Sequence, residues 1–288
     1  MLKISACCFI KDNNAGAFCL WESMAMIMPL VDEYVIMDLG STDGTLEMLE
    51  DLARMNPKIR IVHSTFYKND PSIFADLAND LTAQVTHDLV YYHQADEVMH
   101  EDLVTLFKAE LIKLKADGIP EGWPGINFWR YQLTANLQKM KWWPHPVNHF
   151  DLKSRMHHVG DGMNTERPWD APFLGDVKSG KDWQTEYTPK PYSLPTNQMI
   201  LDVSSTGMFL DNAREKRQKH APIWKEPNDV LYIGGHARGL DDWYNEQMMN
   251  PDWVEPRSPF NIPEIMKGHV GKLRYEVRPE ILERIANA

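Results

Sequence analysis

The chain has 288 residues, 43% hydrophobic and 25% charged, with 41 acidic against 30 basic residues and a net charge of −11. That length can bury a large core and the composition is ordinary for a globular protein, while the acidic balance argues against a nonspecific nucleic-acid binder unless a local basic groove overrides it. No apolar run approaches the roughly 20 residues needed to span a bilayer, and Cys7, Cys8 and Cys19, being three, cannot all pair internally. Cys7 and Cys8 lie in an apolar run, which favours buried thiols in a reducing compartment over a metal site. The start, Met1-Leu2-Lys3-Ile4, enters a strand directly without the features of a secretory signal. These features together lead us to expect a cytoplasmic protein.

The first third alternates strand and helix. Ile4–Ile10 is a short apolar run, and residues 18–28 are apolar at helical spacing up to Pro29. Residues 34–37 read as a second strand. Thr42 or Asp43 can cap the next helix, which carries Leu46, Met48, Leu49 and Leu52. Residues 59–62 form a third strand. A helix over 74–85 puts Phe74, Leu77, Ala78 and Leu81 on one face, and Leu89–Tyr92 is a fourth strand before a helix that starts at Glu101. This rhythm predicts an α/β fold with a mostly parallel sheet covered on both faces. After about Asp117 Gly and Pro become frequent. Residues 126–131 read as one more strand, 142–195 as long ordered loops around a site, 208–219 as helix-like, and Pro279–Ala286 as a last helix. We find no internal repeat.

Ligands of an open parallel sheet bind beyond the carboxyl ends of its strands. Two polar segments stand there, Asp38-Leu39-Gly40-Ser41-Thr42-Asp43-Gly44-Thr45 and Gln94-Ala95-Asp96-Glu97. Asp38 is placed to accept hydrogen bonds from a base or ribose, and Gly40 and Gly44 let the backbone turn tightly against a ligand. A plain strand-to-helix turn is the competing reading. Asp96, with Glu97 beside it, is a natural Mg²⁺ or Mn²⁺ ligand facing a diphosphate, since hard cations take carboxylate and phosphate oxygens together. The alternative is an acid capping the helix near Glu101.

The two segments together resemble family 2 glycosyltransferases of the GT-A fold, in order, over roughly the first 115 residues. Ile4-Ser5-Ala6-Cys7-Cys8-Phe9-Ile10-Lys11-Asp12-Asn13 resembles the family's opening strand and its Ile-Lys-Asn-Glu ending. Val31 to Asp38 with Gly40-Ser41-Thr42-Asp43-Gly44-Thr45 resembles the second strand and turn, Ala78-Asn79 the Arg-Asn of a later helix, and Tyr91-Tyr92-His93-Gln94-Ala95-Asp96-Glu97-Val98 the metal-binding Asp-x-Asp region. The Gln-Ala-Asp-Glu variant is similar to that of bacterial or phage members. The resemblance implies a nucleoside-diphosphate-sugar donor, of UDP type, contacted by Ala6, Phe9, Lys11, Asp38, Gly40, Ser41, Asn79, Gln94, Ala95 and Arg217. It implies a divalent metal, Mn or Mg, on Asp96. Gln94 stands where the first acid of the motif would be, and Ala78 where its Arg would be. The place of the family's metal-proximal His reads here as Ser205-Thr206-Gly207, so that ligand is missing, or His158 or His236 takes over. A GT-A domain is therefore expected with a nucleotide-sugar-binding half over 1–117, an acceptor-side half over 118–220 and a C-terminal extension over 221–288.

An inverting transfer needs a carboxylate to take the acceptor's hydroxyl proton. Asp161, in Gly160-Asp161-Gly162, is the first candidate, with Asp170 or Asp176 as replacements and a surface turn as the competing reading. His145, His149, His157 and His158 match no zinc spacing. Arg214, Lys216, Arg217 and Lys219 read as a solvated helix face or a diphosphate contact. Trp142, Trp143, Trp169 and Trp183 read as core or as platforms for sugar rings. The expected activity is metal-assisted, inverting sugar transfer, hexosyl or pentosyl, to a glycan, lipid-linked sugar or other hydroxyl compound. An inactive nucleotide-sugar-binding protein and a nucleotidyltransferase are the alternatives.

Overall fold

The computed structural model describes residues 2–65, 73–123, 125–134, 137, 139–141, 145–156, 262–272 and 274–288, with short strands between 175 and 254. In chain order the first part runs β1 (Ile4–Ile10), α1 (Asn13–Gly16), α2 (Leu20–Ile27), β2 (Glu33–Asp38), α3 (Thr45–Met55) and β3 (Ile59–His63). It continues with α4 (Ile73–Gln84), β4 (Leu89–Tyr92), β5 (Glu97–Met99) and α5 (Glu101–Asp117). Beyond it lie β6 (Ile126–Thr134), β7 (Lys139–Lys141), β8 (His145–Leu152), β9 (Gly175–Asp176), β10 (Lys181–Asp182), β11 (Tyr192–Ser193) and β12 (Met199–Asp202). Last come β13 (Val230–Ile233), β14 (His236–Gly239), β15 (Trp253–Val254) and α6 (Pro279–Ala286).

The sheet has the order β15-β7-β6-β8-β4-β1-β2-β3. The β4-β1-β2-β3 end is parallel throughout, and β8 is antiparallel to both β4 and β6. Alternation explains how this sheet buries both faces. Ile4, Ala6, Cys8 and Ile10 of β1 point into one core with Tyr34, Ile36, Leu89 and Tyr91. Cys7 of β1 points into the other, with Val35, Met37, Val90 and Tyr92, against Ile73, Leu77, Ala78 and Leu81 of α4. A period of two in strands covered on both sides reads as a continuous apolar run, as β1 does. The first core is closed by rings. Phe107 of α5 meets Phe128, Phe150 and Tyr91 at centroid distances of 5.1, 4.9 and 5.8 Å, the first two edge-to-face, a favourable aromatic geometry.

The last residues return to the first. Ile265, Met266, Tyr275, Ile281 and Ile285 join the core that holds α2. Glu22, fully buried on α2, accepts from Tyr275 Oη at 2.8 Å and lies 2.7 Å from His269 Nε2. Asn56 Nδ2 donates to the Ile285 carbonyl at 2.8 Å, and Lys58 Nζ to the Ala288 carbonyl at 2.9 Å.

Three local expectations are corrected. Neither Thr42 nor Asp43 is the N-cap of α3. Gly44 holds that position at φ 86, Thr42 is turned toward Asp12, and the Asp43 carboxylate accepts from Thr45 N–H at 3.1 Å. The acids of the second segment do not cap α5, because β5 intervenes and His100 accepts from Asp102 N–H instead. Pro29 does not end the helical path, which tightens into a 3-10 turn over Met28–Leu30 with the proline in its first turn, where the missing N–H costs nothing.

Candidate active site

Asp38 is the last residue of β2, beside Ile10 at the end of β1. Its carboxylate folds back on its own turn, Oδ2 accepting from Gly40 N–H at 2.9 Å and Ser41 N–H at 3.0 Å. Gly40 turns there at φ 80, a conformation that favours glycine. Asp38 is only 1% exposed, so its side chain is fixed in direction. A carboxylate held by two backbone N–H groups keeps lone pairs for a further donor.

The loop after β1 is laced to this turn. Asp12 N–H donates to Ser41 Oγ at 2.8 Å, and Asp12 Oδ1 accepts from Thr42 N–H at 2.8 Å and Thr42 Oγ1 at 3.3 Å. Ala15 N–H donates to Asp43 Oδ2 at 2.7 Å, and Asn14 N–H to Thr45 Oγ1 at 3.3 Å. Trp21 Nε1 donates to Asn14 Oδ1 at 3.1 Å. Asp12, Ala17 and Cys19 all take left-handed backbone conformations, at φ 52, 52 and 59. Three such non-glycine residues within eight positions are unusual, and strain of this kind clusters at functional sites.

The second patch follows β4, on the other side of β1. Gln94 N–H donates to Glu97 Oε2 at 3.0 Å, and Glu97 N–H to the Gln94 carbonyl at 3.1 Å. Glu97 is therefore a turn-former. His93, fully buried, holds the same turn from beneath. Its Nδ1 is 2.9 Å from the Gln94 carbonyl and its Nε2 is 2.5 Å from Tyr34 Oη. A carbonyl only accepts, so Nδ1 carries a proton, and in the neutral ring Nε2 then accepts from the tyrosine. Burial pushes the Tyr34 hydroxyl well above its ordinary range, so it stays a donor. Ser23 Oγ completes the frame by donating to the Glu97 carbonyl at 2.6 Å. Asp96 is 7% exposed on this turn. Its negative charge contributes, after burial, to pushing the Cys8 thiol up to about 12, against a lowering hydrogen bond to Tyr34.

The structure thus brings Asp38, Gly40 and Ser41 to one side of the end of β1, and Gln94, Ala95 and Asp96 to the other. Two strands flanking a shared neighbour lie about 10 Å apart, the scale of a nucleoside diphosphate. Lys11 and Phe9 are half-buried at the same strand end, and Asn79 is half-buried on α4. Ala6 is fully buried in mid-strand and Ala95 joins the same core, so both side chains belong to packing. Ala78, standing where the resembled family has Arg, is buried against the opposite face of the sheet. His236 is in β14, paired with β13, and Asp176 in β9, paired with β10. Asp161, Asp170, His157, His158, Arg214, Lys216, Arg217, Lys219, the four tryptophans and the Ser205-Thr206-Gly207 segment lie outside the described residues. Among the described residues no group of three or more His, Cys, Asp or Glu side chains could hold a metal ion, and no helix is long and apolar enough to cross a membrane.

Asp12 and His93 were not singled out from the sequence, and Asp43 was read there only as a helix cap. The run Asp12-Asn13-Asn14 was the available signal, since Asp and Asn tolerate left-handed backbone better than other side chains. His93, polar at the end of an apolar strand, was the other.

The model of glycosyl transferase family 2 matches residues 19–166, slightly more than half of the chain. The chain belongs to this family. The match contains the Asp38 turn and the Gln94–Glu97 turn, and begins after β1. No curated protein matches the chain. Among solved structures it is similar to S. aureus TarS, at 16% identity over 46% of this chain and 22% of that one, with a TM-score of 0.30. It is similar to TarS 1-349 in complex with UDP, at 17% over 46% and 36%, TM-score 0.30. Against TarS 1-349 the values are 13% over 77% and 65%, with a TM-score of 0.40. The chain thus spans 22–65% of the length of these structures, and the family match rather than these likenesses carries the assignment.

Proposed function

We propose that this family 2 protein transfers a sugar from a nucleoside-diphosphate sugar to an acceptor hydroxyl, with inversion. The observation that supports it most is the pair of braced turns at the ends of β2 and β4, one on each side of β1. The Asp38 turn offers a fixed carboxylate and backbone to the nucleoside. The Gln94–Glu97 turn offers Asp96 to the diphosphate and the Gln94 amide to a sugar or ribose hydroxyl.

One carboxylate is a sufficient protein share for Mg²⁺ or Mn²⁺ when the substrate's phosphates supply further oxygens, so Asp96 would hold the metal together with the donor. The metal supplies charge neutralisation for the departing diphosphate. Asp161 is our candidate for the base that takes the acceptor's proton, and Arg217 for a cation beside the diphosphate. His158 or His236 would complete the metal shell. The buried thiols of Cys7, Cys8 and Cys19 suit a reducing compartment, and we place the activity in the cytoplasm.

Incubation with a panel of UDP-, GDP- and dTDP-sugars, scoring released nucleoside diphosphate, tests the reading. Release from at least one donor, increased by Mn²⁺ or Mg²⁺, is the expected result. Tight nucleotide binding without release from any donor would identify a binding protein, which is what Gln94 in the place of an acid would favour.

A further inference from the structure

We propose that Asp12 is a positioning residue for the nucleoside end of the donor, acting through the 40–42 turn; this rests on the donor reading above. Asp12 touches the turn from two directions. Its backbone N–H donates to Ser41 Oγ, and its carboxylate accepts from both the backbone and the hydroxyl of Thr42. Ser41 N–H in turn donates to Asp38. The chain of contacts runs from the strand end of β1, through Ser41 and Thr42, to the Asp38 carboxylate.

The backbone conformation argues the same way. At φ 52 and ψ 53 a residue with a Cβ is strained, and Asp and Asn are the side chains that tolerate the region best. Glycine would sit there without cost. Asp12 is nonetheless nearly fully buried, and its carboxylate is directed into the neighbouring loop rather than into its own turn. A residue needed only for the turn would gain nothing from these two contacts. The role that fits is to hold the two loops in one shape before ligand arrives. Preorganisation of this kind lowers the ordering cost of binding. Asp43 braces the far end of the same loop through Ala15 N–H, so loss of Asp12 loosens the 40–42 turn without releasing the whole lattice.

Three full-length variants separate positioning from turn-forming. D12N keeps an Oδ1 acceptor and tolerance of the left-handed region. D12G keeps the backbone conformation and removes the acceptor. D12A removes both. The readouts are the UDP dissociation constant by calorimetry, the donor KM and kcat, and the thermal midpoint. We expect D12N to bind UDP within about threefold of wild type and D12G to lose about tenfold or more. In D12G the loss falls on KM, with kcat changed by less than about threefold, because the Gln94–Glu97 turn is untouched. D12A loses at least as much affinity as D12G and is less stable.

D12G with wild-type UDP affinity would overturn the proposal, leaving Asp12 a turn residue. D12N as weak as D12G, at an unchanged thermal midpoint, would also overturn it, because the charge itself would then be contacting ligand. A wild-type chain that binds no nucleoside diphosphate would remove the donor reading and this role together. Wild-type binding with an insensitive D12G removes this role alone.

Discussion

Replacing Asp96 by alanine takes away the acid that the Gln94–Glu97 turn carries to the carboxyl edge of the sheet, while leaving Glu97 to hold the turn through Gln94 N–H. We expect the Asp96→Ala chain to fold with a near-normal thermal midpoint and to lose about 100-fold or more in nucleoside-diphosphate release, the scale of removing one electrostatic contact to a leaving group. Its UDP affinity should fall in Mn²⁺ and change little in EDTA. Unchanged turnover would sink the metal assignment. A second residue-scale expectation concerns the thiols. Cys7 and Cys8 are fully buried, and burial pushes both well up from their ordinary values, Cys8 to about 12. The thiolate is the reactive form. Native protein at pH 8 should therefore leave both unmodified by a disulfide reagent, and all three cysteines should react at once in denaturant. Rapid labelling of Cys7 or Cys8 in the native state would contradict the packing of β1.

At the scale of elements, Glu33 at the start of β2 ties the amino end of the sheet together. It accepts from Ser5 Oγ at 2.5 Å, Thr86 N–H at 2.8 Å and Arg60 Nη2 at 3.1 Å. Burial alone would raise its carboxyl, but the hydrogen bonds from Ser5, Thr86 and Arg60 outweigh it and hold the group below its ordinary 4.5. The unfolded chain therefore takes up this proton first as pH falls. Glu33 contributes its full stability above about pH 4.5, and the contribution is lost as pH drops through the lower native value. Denaturant midpoints of wild type should fall over that acid window, and those of Glu33→Gln should fall less. Parallel slopes would remove Glu33 from the account.

Much of this scale was legible in the chain. β1 and β4 were readable to the residue from their apolar runs, as was α6, which starts at a proline suited to a first helical turn. β5 was not, because its three residues pair with Ile200, Leu201 and Asp202 about a hundred positions away, and no local pattern carries that. The candidate site divided in the same way. Asp38 and Asp96 were visible because a strand end and a turn are local features. The bracing by Asp12 and Asp43 was not, since each acts on a segment 28 to 30 residues distant, nor was that by His93, which is fixed by Tyr34 59 positions away. The capping roles assigned to Thr42 and Asp43 failed for this reason, their side chains being engaged by the loop after β1.

At the scale of the whole molecule, the last residues lock against the first through one buried acid. Glu22 and His269 are both fully inaccessible, and the Tyr275 hydroxyl shares the carboxylate. His269→Ala strips a buried hydrogen-bond partner from Glu22, a change that costs about 1–3 kcal/mol. The expected signature is a lowered thermal midpoint with an unaltered UDP affinity, because Glu22 bonds to His269 and Tyr275 while its neighbours Trp21 and Ser23 keep their own bonds to Asn14 and to the Glu97 carbonyl. A loss of UDP affinity at intact stability would instead tie the C-terminal segment to the donor site.

The central claim is that two turns flanking the end of β1 form one nucleoside-diphosphate site. Hydrogen exchange of the wild-type chain with and without UDP and Mn²⁺ tests it most directly. The account predicts added protection in residues 38–45 and in residues 93–97 together. Protection of neither turn under saturating UDP, with binding registered elsewhere in the chain, would contradict it.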